Sequence, residues 1–279
     1  MARLLITGAS SGIGEAAALT FASTFDVTAT VRTDAARDAL EQLAREAGVT
    51  LSVELVDVTD QGGVSALVQR LEDQGGIDVL VHNAGMGYVG TLEQLSEELL
   101  REAMEVNFFA AAHTIKSVLS GMRQRGCGHI IAVSSVGGAV GQPFNDAYCA
   151  AKFALEGLLE SLAPVAQGVG VSISLVEPGP VATNFIANLQ GLSEVFSSDP
   201  QDPYASAKAN YLARLSTPER MSGMQTSSDI AAVLAEIVAA KSPVLRYQTS
   251  EWSTEFVATK MSDLSGAATL AMTSSWVKD

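Results

Sequence analysis

Arg3–Leu4–Leu5–Ile6–Thr7–Gly8–Ala9–Ser10–Ser11–Gly12–Ile13–Gly14–Glu15–Ala16–Ala17–Ala18–Leu19–Thr20–Phe21 is the stretch that decides the fold. A short apolar strand, Arg3–Thr7, runs into a loop carrying Gly8, Gly12 and Gly14, and a helix follows from Gly12 to Phe25. Glycines there permit a tight turn and a close backbone approach, and a helix N-terminus attracts a pyrophosphate. The spacing is Gly-x-x-x-Gly-x-Gly, not the better-known Gly-x-Gly-x-x-Gly, and Thr7 is placed to tie the loop to neighbouring strand ends.

Outward from this unit, strands and helices alternate. Val27–Arg32 reads as a β-branched strand, and Thr33 or Asp34 caps a helix running to Gly48. Leu51–Val56 is a strand and Asp60–Gly75 a helix. Ile77–Val81 and Ile130–Ser134 are nearly continuous apolar runs, as in strands covered on both faces, and Val171–Val176 reads as another buried strand. Ser96–Met122 and Asn145–Ala166 read as long helices, and Ile230–Ala240, capped by Ser228 or Asp229, precedes a last strand at Val244–Tyr247. Such alternation predicts an α/β fold: a doubly wound parallel sheet of the Rossmann type, as one domain over residues 1–279. The 184–226 segment is too long for a plain connection and is predicted to be a substrate lid, with a helix at Tyr204–Leu215 and apolar residues Phe185, Leu189, Phe196, Tyr204 and Tyr211. The C-terminal extension, 251–279, carries Trp252, Phe256, Met261, Leu264 and Trp276 and is expected to pack back on the body.

Composition narrows the function classes. The 279 residues are 47% hydrophobic, enough for a large core. With 17 basic against 31 acidic residues, the formal charge of −14 repels nucleic acid and anionic membrane surfaces. The mean hydropathy is positive, +0.23, yet no apolar run reaches membrane-spanning length. The first strand begins at Arg3, too early for a signal peptide, and Cys127 and Cys149 make no disulfide framework; a reduced cytoplasm is the expected location. His82, His113 and His129 lack ligand spacing, so no metal is expected.

The chemistry is concentrated in Tyr148–Cys149–Ala150–Ala151–Lys152, thirteen residues after Ser135. A phenol and an ammonium four residues apart share a helix face, and the cation favours the tyrosinate. With a nucleotide loop in the same chain, the pair points to hydride chemistry at a carbonyl, the phenol serving as proton donor. At the end of the second strand stands Arg32, with no acid before Asp34; helped by Ser11, it predicts NADP(H), the alternative being a solvated turn residue. Asp57 suits a bond from the adenine amino group, or is simply a turn-forming Asp.

Thr7–Gly14, Asn83–Ala84–Gly85, Asn107, Ser135, Tyr148-x-x-x-Lys152 and Pro178–Gly179 together resemble the single-domain branch of the short-chain dehydrogenase/reductase family over residues 1–183. Gln142–Gly157, Val89–Glu93 and Leu245–Arg246–Tyr247-x-Thr249 look like its branch of estrogenic 17β-hydroxysteroid and retinol dehydrogenases. The resemblance implies a catalytic tetrad. Tyr148 is the acid or base, Lys152 lowers its pKa and binds the nicotinamide ribose, Ser135 polarises the substrate oxygen, and Asn107 holds a relay water. It also implies cofactor contacts at Gly8, Ser10, Ser11, Gly12, Ile13, Gly14, Arg32, Asp57, Val58, Asn83, Ala84, Gly85, Pro178, Gly179, Val181 and Thr183. Val136, Pro143, Phe144 and Asn145 would form the substrate wall beside Ser135 and Tyr148, for a hydrophobic, steroid-like or retinoid-like small molecule. The family has Asn where this chain has His82, and its steroid enzymes use a lid histidine that 184–226 lacks. The implied activity is interconversion of a hydrophobic secondary alcohol and its ketone, with a steroid 17β-hydroxyl first in line. Retinal or 3-oxoacyl reduction and a non-catalytic NADP(H)-sensing scaffold are the alternatives. Two apolar long helices imply a homodimer or higher homo-oligomer.

Overall fold

In a computed structural model of the chain, residues 1–183, 189–190, 201–215, 217 and 223–278 are described. Among them, β1 (Arg3–Thr7), β2 (Asp26–Val31), β3 (Ser52–Leu55), β4 (Val79–His82), β5 (Gly128–Val133), β6 (Val171–Glu177) and β9 (Arg246–Gln248) form one sheet in the order β3-β2-β1-β4-β5-β6-β9. Every pairing is parallel. The chain leaves β1 toward β2 on one side and resumes at β4 on the other. That reversal opens a crevice at the carboxyl ends of β1 and β4, where Thr7 pairs with His82.

Strand alternation sends side chains into two cores. Leu4, Ile6, Val79, Val81, Ile131 and Val133 meet α1 (Gly12–Phe21), α2 (Asp34–Glu46) and α9 (Ser227–Ala239) on one face. Leu5, Leu80, Ile130 and Ala132 meet α3 (Gln61–Asp73), α5 (Ala110–Arg125) and α7 (Asp146–Gln167) on the other. Each buried Leu or Ile contributes roughly 1.5–3 kcal/mol, so the sheet is a stiff base for the loops at its carboxyl edge.

The expected elements are present, with four differences. The helix expected over Ser96–Met122 is α4 (Glu97–Met104), a π-helical turn at Glu105–Phe109, and α5. The cause lies in Asn107, whose Nδ2 donates to Ala103 O at 3.2 Å, the carbonyl its own backbone N–H would take in an α-helix. The cap of α9 is Thr226, in a reciprocal capping box with Asp229, rather than Ser228 or Asp229 itself. A four-residue helix, α6 (Val136–Ala139), follows Ser135, and β7 (Val181–Ala182) pairs with β8 (Gln225–Thr226) in a small parallel ladder; neither was expected. Thr33 caps α2 through Ala36 N at 3.2 Å, as the sequence suggests.

The helix expected at Tyr204–Leu215 is α8 (Ala205–Leu215). Tyr211 is buried and Leu189 and Tyr204 pack beside it, whereas Phe185 and Phe196 lie outside the described residues. The tail forms α10 (Glu251–Met261) and α11 (Ala267–Ser274). Phe256 stacks between Trp252 (4.9 Å, 11°) and Trp276 (5.7 Å, 19°), and the Arg214 guanidinium caps the Trp276 ring at 4.5 Å, joining the tail to α8. Met261 and Leu264, expected to pack inward, are exposed, because they sit at the end of α10 and in the turn beyond it.

Candidate active site

Backbone geometry makes the glycine loop. Gly8 has φ +71° and a Cβ there would lie 2.7 Å from Ala84 Cα; a Cβ on Gly14 would lie 2.2 Å from Gly8 O. Both positions therefore exclude any side chain. Thr7 Oγ1 accepts from Asn83 N and Ala84 N, each at 3.1 Å, and Asn83 Nδ2 donates to Thr7 O (3.2 Å) and Gly8 O (2.9 Å). These bonds lash Asn83–Ala84–Gly85, at the end of β4, to the loop. Gly12 has φ +63° and lies under Thr183, whose Cγ2 would be 3.3 Å from an added Cβ. Ser11 leads into α1 without making a side-chain cap.

A cavity of about 1340 Å³ extends from this loop along the crevice. Of the sequence-assigned cofactor residues, Gly8, Ser10, Ser11, Gly12, Ile13, Arg32, Asp57, Val58, Asn83, Ala84, Gly85 and Thr183 line it. Gly14, Pro178, Gly179 and Val181 do not: Gly14 packs behind the loop, Gly179 lies against Trp252 and Ser253, and Val181 pairs with Gln225. Arg32 is exposed, with Nη1 4.0 Å from Met86 Sδ across the cavity wall. Asp57 Oδ1 accepts from Thr59 N (2.9 Å) and Thr59 Oγ1 (2.8 Å), so it does form a turn. Burial opposes its ionisation, but those bonds and the Arg32 charge hold its carboxyl below the usual range. Met86, Glu102 and Val106 also line the cavity and were missed; the adjacency of Met86 to Gly85 and of Val106 to Asn107 was the available signal. The glycine cradle and the helix start fit a nicotinamide dinucleotide, with Arg32 at the far end of the cavity.

Ser135, Tyr148 and Lys152 form a second group off the cavity, and Tyr148 and the cavity-lining Met86 pack against the same buried cluster of Tyr88, Leu95, Ala103 and Ala147. Ser135 ends the segment after β5 and caps α6, its Oγ accepting from Gly137 N at 3.0 Å. A Cβ on Gly137 would be 3.4 Å from Ser135 Oγ and 3.3 Å from Tyr148 Cε1, so both side chains converge on that glycine. Lys152 is buried; its Nζ donates to Val133 O at 3.0 Å and lies 5.9 Å from the Tyr148 ring centroid. Burial brings Lys152 down to about 8, against the field of Glu156.

Here the chain departs from expectation. Burial pushes the Tyr148 phenol well above its ordinary value, against the hydrogen bond with Ser135 and with the Cys149 and Glu156 charges adding to the rise. Asn107 lies beside Lys152, both within reach of Gly85. It is buried, its Oδ1 accepts from Met86 N (3.1 Å) and its Nδ2 donates to Met86 O (3.0 Å), so the side chain braces the cavity wall.

The residues expected to line the substrate wall contact α8. Asn145 Nδ2 donates to Tyr211 Oη and to Pro143 O, both at 2.9 Å, and the Phe144 ring contacts Tyr211 at 5.3 Å. Phe144 has φ +59°, the single non-glycine in the left-handed region among the described residues. Val136 is buried in the same cluster, its N–H donating to Pro178 O at 3.0 Å. No group of three or more His, Cys, Asp or Glu suited to a metal occurs among the described residues.

A dinucleotide-shaped crevice at the switch point, next to a Ser–Tyr–Lys group, defines a class of oxidoreductase. Residues 2–191 match the family described as short chain dehydrogenase, and the chain belongs to that family. It is 38% identical over 278 residues to human (Homo sapiens) retinol dehydrogenase 8, covering 95% of this chain and 86% of the relative. It is 37% identical over 271 residues to human 17-beta-hydroxysteroid dehydrogenase type 1, covering 95% and 82%. Among solved structures it is similar to an alcohol dehydrogenase from the archaeon Thermococcus sibiricus complexed with 5-hydroxy-NADP, at TM-score 0.71 and 26% identity over 89% of this chain and 95% of that one. The protein is therefore a short-chain dehydrogenase/reductase with a Rossmann-type fold.

Proposed function

We propose that the protein interconverts a bulky apolar secondary alcohol and its ketone with NADP(H), a 17β-hydroxy/17-keto steroid being the first candidate. The carrying observation is the convergence of Ser135 and Tyr148 on Gly137, with Lys152 one turn away and Gly85 linking them to the cavity. Bound in the crevice, the nicotinamide would supply or accept the hydride. The chain's own residues do the rest. The Ser11–Ile13 backbone and Arg32 would hold the phosphates, and Gly85 leaves room above Asn107 and Lys152. Ser135 would donate to the substrate oxygen, where negative charge develops. Tyr148 would give that oxygen its proton in ketone reduction and take it back in alcohol oxidation. Asn107 acts through Met86, and the relay role implied for it remains part of this proposal.

Substrate class follows from the wall. Val136, Pro143, Phe144 and Asn145 face an apolar lid through Tyr211, a surrounding suited to a flat hydrophobic molecule. The retinol dehydrogenase relative favours a second reading, retinal reduction at the same site. Turnover of NADPH with a 17-ketosteroid, retinal and a 3-oxoacyl thioester separates these readings. Activity on none of them would remove the substrate proposal, and cofactor binding without turnover on a broad ketone panel would restore the sensing scaffold. We further propose a homodimer through α5 and α7, where Phe109, at the end of the π turn that leads into α5 (50% exposed), and Val165 on α7 (67%) remain uncovered. One species of monomer mass in sedimentation would contradict it. No helix among the described residues is long and apolar enough to cross a membrane, and a cytoplasmic location is part of this proposal.

A further inference from the structure

One turn beyond Lys152 on α7, Glu156 is almost fully buried, 3% exposed, among polar groups from three other elements. Its Oε1 accepts from Ser134 Oγ at 2.6 Å, and its Oε2 is paired with Arg246 of β9. Arg246 Nη1 also reaches Glu177 Oε1 at 2.7 Å, at the fully buried end of β6, and its Nη2 reaches Glu160 at 2.7 Å on the surface. Gln248 Nε2 donates to the other Glu177 oxygen at 2.8 Å. Both Glu156 oxygens thus act as acceptors, one from a hydroxyl and one from a guanidinium. A Cβ on Gly138 would fall 2.2 Å from Glu156 Oε1 and 2.5 Å from Ser134 Oγ, so that glycine makes room for the bond.

What this cluster joins is specific. Ser134 precedes Ser135, Glu177 precedes Pro178–Gly179, and Glu156 follows Tyr148 and Lys152 by two turns and one turn of the same helix. Two segments carrying proposed catalytic or nicotinamide-flanking groups are clamped on one guanidinium, and the third, at Ser134, is tied to it through Glu156. A buried ion cluster is a poor source of stability, because desolvation offsets the attraction. Its more natural use is to fix relative position. Two buried carboxylates against one guanidinium also leave an excess of negative charge close to Lys152.

We propose that Glu156 is a positioning residue: clamped by Arg246, it fixes the Ser134–Ser135 strand end against the helix of Tyr148 and Lys152 and supports the Lys152 ammonium. The proposal rests on the reading of Tyr148 and Lys152 as the reacting pair. The charged and titratable groups around it are Tyr148, Cys149, Lys152 and Glu160 on α7, Glu177 on β6, Arg246 on β9, Lys260 on α10 and His82 on β4. Glu156 pushes Lys152 and Tyr148 upward, while its own pKa is raised by burial and by Glu177 against the bonds from Ser134 and Arg246.

Glu156→Gln keeps the shape and removes the charge. In ketone reduction Tyr148 must keep its proton and Lys152 its charge, and loss of Glu156 lowers both pKa values. The basic limb of the kcat profile is therefore expected to move to lower pH by about half a unit or more, with kcat down about tenfold and cofactor Kd within about twofold. Independently of turnover, the Lys152 signal in ¹³Cε-lysine NMR, assigned with Lys152→Met, should titrate at lower pH in Glu156→Gln. An unmoved limb and an unmoved titration in a folded variant would overturn the charge role. Ser134→Ala cuts the tether and keeps the charge: kcat should fall about threefold or more with the limb in place, and wild-type kcat would overturn the positioning role even if Glu156→Gln fails to fold. A wild type inactive on every ketone would sink the catalytic reading alone, since the NMR titration still decides the influence of Glu156 on Lys152.

Discussion

Gly85 sits so close to Asn107 that a methyl group on it would lie 2.8 Å from Asn107 Oδ1 and 3.4 Å from Lys152 Nζ. Asn107 cannot yield, because both ends of its amide are bonded to Met86. Gly85→Ala should therefore displace the cavity wall at the point where the nicotinamide would meet Lys152. The expected outcome is a loss of about 100-fold in kcat with a folded protein, read by steady-state kinetics and a thermal melt. Wild-type kcat would show that the contact is slack.

Arg32 governs the choice of dinucleotide in this account. Replacing it by Asp removes a charge-assisted bond to a 2′-phosphate, each such bond being worth about 1.5–3 kcal/mol. Arg32→Asp should lose roughly 10–100-fold in kcat/KM with NADPH and much less with NADH. Equal losses with both would count against the assignment.

His82 and His129 give the fold an acid-side weakness. Burial lowers His82 to about 3, with Lys152 nearby adding to the effect, and lowers His129 to about 4. Both are neutral in the folded chain, while an unfolded histidine gains its proton near 6.5. The unfolded state thus binds more protons below 6.5, and stability falls as pH drops from there toward 3–4. His82→Asn should unfold with about one fewer proton taken up near pH 5, measured by denaturant titrations across pH. An unchanged pH slope would mean that His82 already carries its proton in the fold.

The Tyr211 hydroxyl, bonded by Asn145, tests the lid. Tyr211→Phe removes about 0.5–1.5 kcal/mol of hydrogen bonding away from the reacting atoms. The substrate KM should rise about three- to tenfold while kcat stays within about twofold. A drop in kcat at constant KM would place Tyr211 in the chemistry instead.

Much of this was legible in the sequence because it depends on periodicity and spacing. Apolar runs such as Ile130–Ser134 can only be strands buried on two faces, and Gly8 and Gly14 announce a backbone approach that the steric contacts bear out. The tail was half legible: Phe256 and Trp276 pack, but nothing local distinguishes them from Leu264, which is fully exposed. The π turn at Asn107 was hidden, since spacing does not show that the Asn107 amide takes the Ala103 carbonyl while it is also bonded to Met86, distant in sequence. The Glu156–Arg246 pair spans 90 positions and leaves no spacing signal. The sign of the Tyr148 shift was misjudged because i,i+4 spacing reveals the cation but not how deeply the phenol is desolvated.

The central claim is that Tyr148 passes the proton that accompanies hydride transfer. Single-turnover reduction of a ketone substrate by NADPH in Tyr148→Phe, with cofactor affinity read separately by fluorescence, tests it most directly. The account predicts a rate lower by about 100- to 10,000-fold with cofactor affinity preserved; a rate equal to that of the wild type would contradict it.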